Sequence, residues 1–454
     1  MNSIEPNQQI LSGWGNTKLS NSKIFFPKDL DDVKNIVKKN NQIIPRGMGR
    51  SYGDPAQCDN GYVLDTSNLQ SFSLNKELGI LTSGSGAKFK DILDHIVPEG
   101  FFIPVSPGTK NITVGGAISS DVHGKNHHCD GSFANHVEKI TIIDGKGDLK
   151  YLYPSKDHST SEAFWATCGG MGLTGIIIEA TFKLIPISTS LIKVDTEKFE
   201  DLESLMYAMR KDDEFFRYSV AWIDSLSKKG RGILTKGNHA NLEDIPGDKK
   251  YLLRKPLSYD KKEVPTAPKF MPNGILNKLT VGIFNKAWYA KSPRLKKNEL
   301  QSIGTFFYPL DGIQNWNRIY GPNGFIQYQF VVPDKHVSLI PSILSKLRDI
   351  GAPSFLTVLK RFGNSNNGPL SFPMEGWTLA VDIPACIPNL LRILDDCDNL
   401  VLKAGGRIYL AKDSRQSSSM FKKSYSRFNE WVNQKKDLDP DNIFVSDLSK
   451  RLNI

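Results

Sequence analysis

Two glycine-rich stretches have the composition of loops that hold a phosphorylated ligand. Residues 45–55 read Pro-Arg-Gly-Met-Gly-Arg-Ser-Tyr-Gly-Asp-Pro, and residues 104–128 read Pro-Val-Ser-Pro-Gly-Thr-Lys-Asn-Ile-Thr-Val-Gly-Gly-Ala-Ile-Ser-Ser-Asp-Val-His-Gly-Lys-Asn-His-His. Glycine lacks a Cβ and tolerates positive φ, so runs of backbone N–H groups can converge on an anion. The pair of loops therefore predicts a site for a diphosphate.

The second stretch ends in a polar cluster that follows small residues: His123, Lys125, Asn126, His127 and His128. This order is typical of a site where a flat ring lies against the backbone and its reactive edge meets donors. Histidines beside Cys129 also suit zinc or copper, but no carboxylate or thiolate pattern completes such a site, so we expect no metal. A further interpretation is that His127 and His128 pack a turn and bond the backbone.

A third glycine motif, Gly170-Met-Gly-Leu-Thr-Gly175, matches G-x-G-x-x-G in the wrong context. A nicotinamide-binding fingerprint needs a strand before it and a helix after it. Here a predicted helix, residues 161–167, precedes the motif, and the β-rich residues 176–184 follow it. No G-x-x-x-x-G-K-[ST] phosphate loop occurs in the chain. We therefore predict neither a nicotinamide site nor a nucleoside triphosphate site.

Composition and length predict a soluble, cytoplasmic protein of two domains. The 454 residues exceed one ordinary core, and 39% hydrophobic with 23% charged residues is a globular balance. No apolar run is long enough to span a bilayer, and the first ten residues lack the pattern of a secretory signal. The five cysteines are scattered and form no C-x-x-C pair, which argues against disulfides and a zinc ribbon.

The net charge of +10 is concentrated in residues 247–300, which contain thirteen Lys and Arg against four Asp and Glu. Five prolines interrupt this segment, so we expect a long mobile insertion with at most a short amphipathic piece near residues 275–288. It is either a solvated loop or a surface attracted to anionic lipid headgroups or a phosphate-bearing substrate. No nucleic-acid-binding module is recognisable, so nucleic acid is not expected as a partner.

Hydrophobic periodicity predicts short strands and helices in an α+β arrangement. Before residue 188 it predicts helices at 28–40 and 89–97, and strands at 61–65, 79–83, 101–105, 139–143 and 148–153. Beyond that point it predicts helices at 202–210, 337–347 and 390–402, and strands at 216–224, 231–236, 305–308, 325–332, 355–362 and 377–383. The second group is consistent with an antiparallel sheet backed by helices.

The glycine loops resemble the paired FAD-binding segments of the vanillyl-alcohol-oxidase type flavoproteins, and their wording is similar to one branch, the decaprenylphosphoryl-ribose 2-oxidases. Further similar stretches cover nearly the whole chain: residues 306–311, 316–318, 320–322, 327–331 and 410–415. The resemblance implies a two-domain fold, with a PCMH-type FAD-binding domain at 1–188 and an antiparallel-sheet substrate domain at 189–404. Residues 405–454 would return to the FAD domain.

The resemblance also implies FAD as the cofactor. Relatives that tether it covalently use His or Cys, often a His in the first loop, and residues 47–55 contain neither, so we expect non-covalent FAD. The third glycine motif becomes a turn that touches the adenosine portion near residues 175–176. The residues expected to bind FAD are Arg46, Gly47, Met48, Gly49, Arg50, Ser51, Tyr52, Gly53, Gly108, Thr109, Thr113, Val114, Gly115, Gly116, Ser120, Asp121, Val122, His123, Ile176 and Tyr409.

Two residues are expected to be catalytic. Lys412 alone would pass for a surface lysine, but the matching lysine of the family lies by the flavin and is required for turnover. A cation there favours the negative charge of a reduced flavin and orients the substrate oxygen. The resemblance places the counterpart of His123 near flavin and substrate. Other expected substrate contacts are Tyr52, Lys125, Trp222, Tyr308, Gln327, Gln329, Thr378 and Ala380.

The resemblance implies oxidation of a secondary alcohol of a sugar to a ketone, with the hydride passed to N5 of FAD. The substrate would be a polyprenyl-phosphoryl ribose, a lipid-linked sugar phosphate, oxidised at its 2-hydroxyl. This is the first half of an epimerisation to arabinose that a separate NADH- or NADPH-dependent reductase completes. Peripheral contact with an anionic membrane would follow. Ala380 and Thr378 stand where mycobacterial members have cysteine and asparagine, which leaves the substrate more open than the oxidation.

Two other functions remain open from the sequence. One is an aldonolactone or sugar-alcohol oxidase of the same flavin fold that acts on a soluble sugar. The other is a non-catalytic protein that binds the membrane surface and retains a vestigial flavin site. A purified protein without yellow colour would favour the latter, and bleaching of the flavin by a sugar would exclude it.

Overall fold

The computed structural model describes residues 5–259 and 264–454. Its strands are β1 (Asn7–Ser12), β2 (Leu19–Phe25), β3 (Ile43–Arg46), β4 (Tyr62–Asp65), β5 (Phe72–Asn75), β6 (Ile80–Gly84), β7 (Phe101–Phe102), β8 (Val137–Ile143), β9 (Leu149–Leu152), β10 (Ile176–Lys183), β11 (Ile185–Pro186), β12 (Leu191–Phe199), β13 (Tyr218–Ile223), β14 (Gly232–His239), β15 (Leu295–Ser302), β16 (Phe325–Val332), β17 (Thr357–Phe362), β18 (Gly376–Pro384) and β19 (Arg407–Ile408).

The α-helices alternate with these strands and pack on the sheets. They are α1 (Leu30–Lys39), α2 (Phe89–Ile96), α3 (Val114–Ser119), α4 (His127–Asp130), α5 (Ser161–Thr167), α6 (Leu202–Asp212), α7 (Lys278–Lys291), α8 (Ile303–Phe307), α9 (Leu339–Asp349), α10 (Leu390–Lys403), α11 (Ser418–Ser424), α12 (Phe428–Leu438) and α13 (Asp447–Leu452). The mixture of helices and largely antiparallel sheets is the expected α+β class. Within the described residues no helix is long and apolar enough to cross a membrane.

The N-terminal part of the chain forms two sheets, in the orders β1-β2-β4-β3 and β5-β6-β10-β8-β9. Helix α1 connects β2 to β3. It starts where the Asp29 side chain accepts the N–H of Asp32, and it buries Val33, Ile36 and Val37 at the spacing of one helical face. The predicted hairpin is present as the antiparallel pair β8 and β9.

The later part forms one antiparallel sheet in the order β15-β12-β14-β13-β17-β18-β16-β19. Successive side chains of a strand point to opposite faces. In β16, Tyr328 and Phe330 therefore join the core beneath α6, α9 and α10, while Gln327 and Gln329 point to the other face. This face of the sheet forms part of the wall of a large cavity.

One predicted strand, residues 305–308, is instead the end of helix α8. The Ser302 side chain caps this helix by accepting the N–H of Thr305, and Phe306 and Phe307 are buried against the core. The aromatic run favours a strand by propensity. Packing of two adjacent aromatic rings at the end of a capped helical turn overrides that preference.

The expectation of a long mobile insertion at residues 247–300 needs correction. A 3₁₀ helix spans Gly247–Arg254, α7 follows, and β15 pairs with β12 as the edge strand of the large sheet. The prolines lie between these elements and not within them, so they do not interrupt them. Residues 260–263 lie outside the described part of the chain.

After β19 the chain packs back on the first sheets. Ile43 of β3 donates to the carbonyl of Ile443 at 2.8 Å, and Val445 donates to the carbonyl of Ile43 at 3.0 Å. The Arg451 guanidinium also pairs with the buried Asp54 carboxylate at 2.8 Å. These bonds hold the C-terminal helices beside the first glycine loop.

Candidate active site

A cavity of about 1980 Å³ lies between the glycine-rich stretches and the open face of the large sheet. We call residues 45–55 and 104–128 the loop wall, and the cavity-facing residues of β13, β16, β17 and β18 the sheet wall. Every residue expected to contact FAD or substrate lines this cavity except five: Gly53, Val114, Asp121, Ile176 and Thr378. The structure thus brings most of the predicted residues together.

The glycines of the loop wall let the chain pack closely on itself. Gly49 has φ +59°, and a Cβ there would lie 2.3 Å from the Arg46 guanidinium. A Cβ on Gly115 would lie 2.9 Å from the Ser85 side chain. Arg46 itself donates to the carbonyls of Ala56 and Ser12 at 2.7 and 2.9 Å, so it holds the first loop in shape.

The five residues away from the cavity support its walls. A Cβ on Gly53 would lie 1.8 Å from the carbonyl oxygen of Asp413, so this glycine permits close contact between the first loop and the C-terminal segment. Val114 and Ile176 are core residues. The Asp121 carboxylate is buried and accepts from Ser132, Ser371, Asn366 and the N–H of Ala134. Thr378 accepts from the Gln329 amide at 3.3 Å and donates to the Phe330 carbonyl.

Lys412 lies in the cavity wall, and its Nζ is 3.6 Å from the centroid of the Tyr52 ring. The N–H of Tyr52 donates to the carbonyl of Ala411 at 2.8 Å, so backbone contact fixes this pairing. Burial lowers the pKa of Lys412, and the charge of Lys360 adds to this effect while Asp382 opposes it. Its ammonium group therefore loses its proton at a lower pH than that of a surface lysine.

His123 is buried and held in one orientation. Its Nε2 accepts from the Gln329 amide at 2.9 Å, and its ring lies against Phe362 and Tyr409 with centroids 4.8 and 5.0 Å away. Burial lowers its pKa well below the usual value, and the charge of Lys360 adds to the shift. The imidazole is therefore neutral near pH 7. Its Nδ1 has no partner within the described protein.

The neighbouring histidines bond the backbone, as one interpretation of the sequence has them. His127 Nδ1 accepts from the N–H of Gly363 at 3.2 Å, and His128 Nε2 lies 2.9 Å from the carbonyl of Phe216. Among the residues that the structure describes, no three His, Cys, Asp or Glu side chains are grouped as metal ligands.

Lys125 and Lys360 add positive charge to the cavity. Lys125 Nζ donates to the backbone carbonyl of Phe306 and lies 4.2 Å from the centroid of the Phe306 ring. Burial lowers the pKa of Lys125 to about 7, helped by the charge of Lys360. Burial alone lowers the pKa of Lys360 to about 8. Lys360 was not among the predicted residues, although its position two residues after Val358 on β17 places it on the cavity face.

Asp382 is a second residue that the sequence reading missed. It accepts a hydrogen bond from the amide of Gln327, and burial raises the pKa of its carboxyl against the effect of that bond and of Lys412. Its Oδ2 and the hydroxyl of Tyr320 are buried without hydrogen-bond partners in the described protein. Asp382 follows Ala380 by two positions on β18, so strand alternation places both on one face, a signal that the sequence prediction did not use.

Two aromatic residues of the prediction have their polar atoms occupied by the protein. The indole N–H of Trp222 donates to the carbonyl of Phe355 at 2.8 Å, and the Tyr308 hydroxyl lies 2.6 Å from Ser106 Oγ. Trp222 therefore presents mainly its ring to the cavity. Apolar faces of this kind shape a pocket and exclude water.

The cavity fits FAD by its chemistry. An added Cβ on Gly108 would meet no described atom within 4 Å, so the backbone there borders open space. Two buried polar atoms on the cavity lining, Ser85 Oγ and His123 Nδ1, have no hydrogen-bond partner among the described residues. Unpartnered buried polar atoms are costly unless a ligand or water completes them. Lysines surround the same space, and they favour an anionic ligand.

Known proteins resemble the chain over parts of its length or over nearly all of it. A family model described as "FAD binding domain" matches residues 22–152, and one described as "D-arabinono-1,4-lactone oxidase" matches residues 385–452. The decaprenylphosphoryl-beta-D-ribose oxidase of Mycolicibacterium smegmatis is 37% identical, over 98% of this chain and 97% of its own length. The D-arabinono-1,4-lactone oxidase of Kluyveromyces lactis is 25% identical over 46% of this chain and 41% of its own.

Fold, cavity and matches together define an FAD-dependent oxidoreductase with a PCMH-type FAD-binding fold. Its cofactor is FAD. The chain belongs to the family of decaprenylphosphoryl-beta-D-ribose oxidase, because it is 37% identical to that protein over nearly the full length of both chains.

Proposed function

We propose that this protein oxidises the 2-hydroxyl of a polyprenyl-phosphoryl ribose to a ketone. The observation that carries the proposal is the position of Lys412 over Tyr52, in a cavity that also holds His123, Gln327 and Gln329. The full-length similarity to a decaprenylphosphoryl-beta-D-ribose oxidase supports the choice of substrate. Oxidation of the ribose is the first half of an epimerisation to arabinose, and a separate NAD(P)H-dependent reductase consumes the keto-sugar.

FAD supplies the hydride acceptor when bound. The loop wall, with Ser85 and the glycines of both stretches, would hold the cofactor without a covalent bond. Lys412 Nζ lies where it would orient the reacting hydroxyl. Its charge would favour the negative charge that develops in the site.

The remaining cavity residues orient the sugar and its phosphate. Gln329 is held by His123 and Thr378, and Gln327 is held by Asp382, so both amides have fixed directions toward the cavity. Lys125 and Lys360 are buried cations that suit the phosphodiester of a lipid-linked sugar. Tyr308 and Trp222 bound the same space with aromatic surface.

The proposal includes two functional domains with the limits expected from the sequence. Residues 1–188 and the returning residues 405–454 would form the FAD domain, and residues 189–404 the substrate domain. Bonds such as that between Ile43 and Ile443 support the assignment of the C-terminal part to the first domain. Peripheral contact with an anionic membrane is part of the proposal, since the substrate is anchored in one.

A soluble aldonolactone or sugar-alcohol substrate is the second candidate. It is favoured by the match of residues 385–452 to the D-arabinono-1,4-lactone oxidase model. Anaerobic mixing of the purified protein with polyprenyl-phosphoryl ribose, free sugars and aldonolactones, followed by flavin absorbance, separates the two. Bleaching by the lipid-linked sugar alone supports the first candidate, and bleaching by a lactone overturns it. If none of these compounds bleaches the flavin, the result favours the non-catalytic protein that binds the membrane surface.

The non-covalent state of FAD has a simple test. Acid precipitation should release all yellow colour into the supernatant, because the first loop offers neither His nor Cys for a bond. Colour that stays in the pellet would show a covalent tether.

A further inference from the structure

Helix α7 carries four large apolar side chains on the outside. Leu279 and Ile283 are 72% and 61% exposed, and Phe284 and Trp288 are each 45% exposed. Its inward face carries Val281 and Tyr289 and, between them, the buried Asn285, whose amide donates to the Asp224 carboxylate at 2.8 Å. A surface helix ordinarily turns its apolar stripe toward the core. We call the exposed apolar side chains of α7 the α7 face.

The α7 face is held outward by specific bonds, so it is not the result of loose packing. The Asn285 amide also donates to the Ser354 carbonyl at 3.2 Å. The Tyr289 hydroxyl donates to Glu200 at 2.8 Å, and Val281 is buried against the protein. Rotation of the helix would break these bonds. A contiguous apolar patch that is fixed in this way marks an interaction surface.

The chemistry around the α7 face suits an anionic lipid surface. Residues 264–302 contain seven Lys and Arg against one acidic residue, Glu299. Lys278 and Lys291 stand at the two ends of the helix, and Lys286 lies exposed between them. Interfacial helices combine basic residues with Trp, Phe and Leu in this way. Two copies of such a surface would repel each other through like charges, which favours lipid over a second copy of the chain.

The α7 face borders the opening of the cavity. Phe284, Trp288 and Ile313 are exposed, and all three also line the cavity. Phe270, which precedes the helix, is 93% exposed. Exposed apolar residues therefore lie where the cavity meets solvent.

We propose that α7 is a membrane-docking helix that lies on an anionic bilayer, with Leu279, Ile283, Phe284 and Trp288 among the headgroups. The opening of the cavity then faces the lipid from which a polyprenyl-linked sugar enters. The choice of substrate rests on the proposed function, whereas binding of the bilayer does not. Attraction of the lysines brings the protein to the surface, and the apolar side chains hold it there.

Sedimentation with vesicles of equal parts phosphatidylglycerol and phosphatidylcholine tests the proposal. The double variant Leu279→Ser, Ile283→Ser removes apolar surface that does not line the cavity, so its vesicle partition coefficient should fall at least about tenfold. The matched control Ile10→Ser, Leu391→Ser changes two exposed aliphatic residues elsewhere and should stay within about twofold. Equal binding of the α7 variant and the parent overturns the proposal.

Fluorescence quenching by brominated lipids locates the contact. Brominated anionic vesicles should quench part of the tryptophan emission of the parent, and Trp288→Phe should lack that quenched part. Quenching that is unchanged in Trp288→Phe places the contact elsewhere and overturns the assignment to α7. Equal binding to pure phosphatidylcholine overturns the choice of an anionic surface. A stable dimer that the serine double variant dissociates would show that a second copy covers the α7 face.

The outcomes separate docking from the proposed function. The serine double variant should keep its bound FAD, and a short-chain, water-soluble analogue should reduce its flavin as fast as that of the parent. If no sugar phosphate reduces the flavin of either protein while the vesicle results hold, the proposed function fails and docking stands. If reduction is normal and the vesicle difference is missing, docking alone fails.

Discussion

The two walls of the cavity are built in opposite ways. The loop wall is made of two continuous stretches whose glycines let the chain pack closely on itself. A Cβ on Gly53 would lie 1.8 Å from the carbonyl oxygen of Asp413, so added volume is the change that should damage this wall most. The sheet wall is made of single side chains from different strands, among them Gln327 and Lys360. A change of charge or of hydrogen bonding is therefore the change that should affect this wall most. The difference teaches that cofactor binding is encoded in motifs here, whereas the substrate side depends on residues that only the fold brings together.

The largest expected effect is at Lys412, where the two walls meet. Lys412→Ala should keep FAD and fold but slow flavin reduction by roughly 10²-fold or more, the range found when a preorganised charge partner is removed. Lys412→Met tests the charge at nearly constant length. Stopped-flow absorbance measures the rate, and Lys403→Ala, at an exposed lysine, is the control. Rates near those of the parent in both Lys412 variants would make it an ordinary structural lysine.

The steric character of the loop wall is tested at Gly53. Gly53→Ala should lower the free energy of unfolding by about 3 kcal/mol, because a Cβ would collide with the backbone carbonyl of Asp413. Gly247→Ala is the control, since no atom lies within 4 Å of its added Cβ. Urea unfolding of both variants gives the difference. Similar stability in the two would show that the loop yields easily, and the contrast between the walls would weaken.

The electrostatic character of the sheet wall is tested at Lys360 through pH. Burial lowers its pKa from 10.5 to about 8, so between these values the folded state binds fewer protons than the unfolded chain. The contribution of Lys360 to stability therefore rises with pH across this window. Lys360→Met should be more stable than the parent by about 1 to 3 kcal/mol at pH 7, and the gap should shrink toward pH 10.5.

Unfolding curves at several pH values measure this gap, with Lys403→Met as the exposed control. A gap that does not change with pH would mean that Lys360 keeps an ordinary pKa. Solvent would then stabilise the charge of Lys360, and burial would not determine its protonation.

The smallest effect is expected at Ala380, where the mycobacterial members have cysteine. Ala380→Cys should leave the limiting rate of flavin reduction within about threefold and change KM by less than about tenfold, because one added atom alters the fit of a pocket only modestly. Steady-state kinetics on one substrate resolves the two constants. A collapse of the limiting rate would show that the sheet wall is as intolerant of added volume as the loop wall.

Local sequence predicted many of the elements and the two glycine stretches of the loop wall. The alternation of β16 gave its bounds at Phe325–Val332 and turned Gln327 and Gln329 to one face, since the side chains of a strand alternate. The glycine stretches predicted a phosphorylated cofactor because backbone conformation there depends mainly on the residues themselves. Helix α10 was placed within one residue of its observed end for the same reason.

The tertiary structure alone decided the rest. Tyr52 and Ala411 are far apart in the chain, and the bond between their backbones, which sets Tyr52 beneath Lys412, leaves no local pattern in either segment. Asp382 becomes part of the site only through Gln327 on a neighbouring strand. In α7, the bonds of Asn285 to distant partners fix the inward face, so that Leu279, Ile283, Phe284 and Trp288 stay exposed. Long-range contacts fix these features, and a linear pattern records only what neighbouring residues prefer.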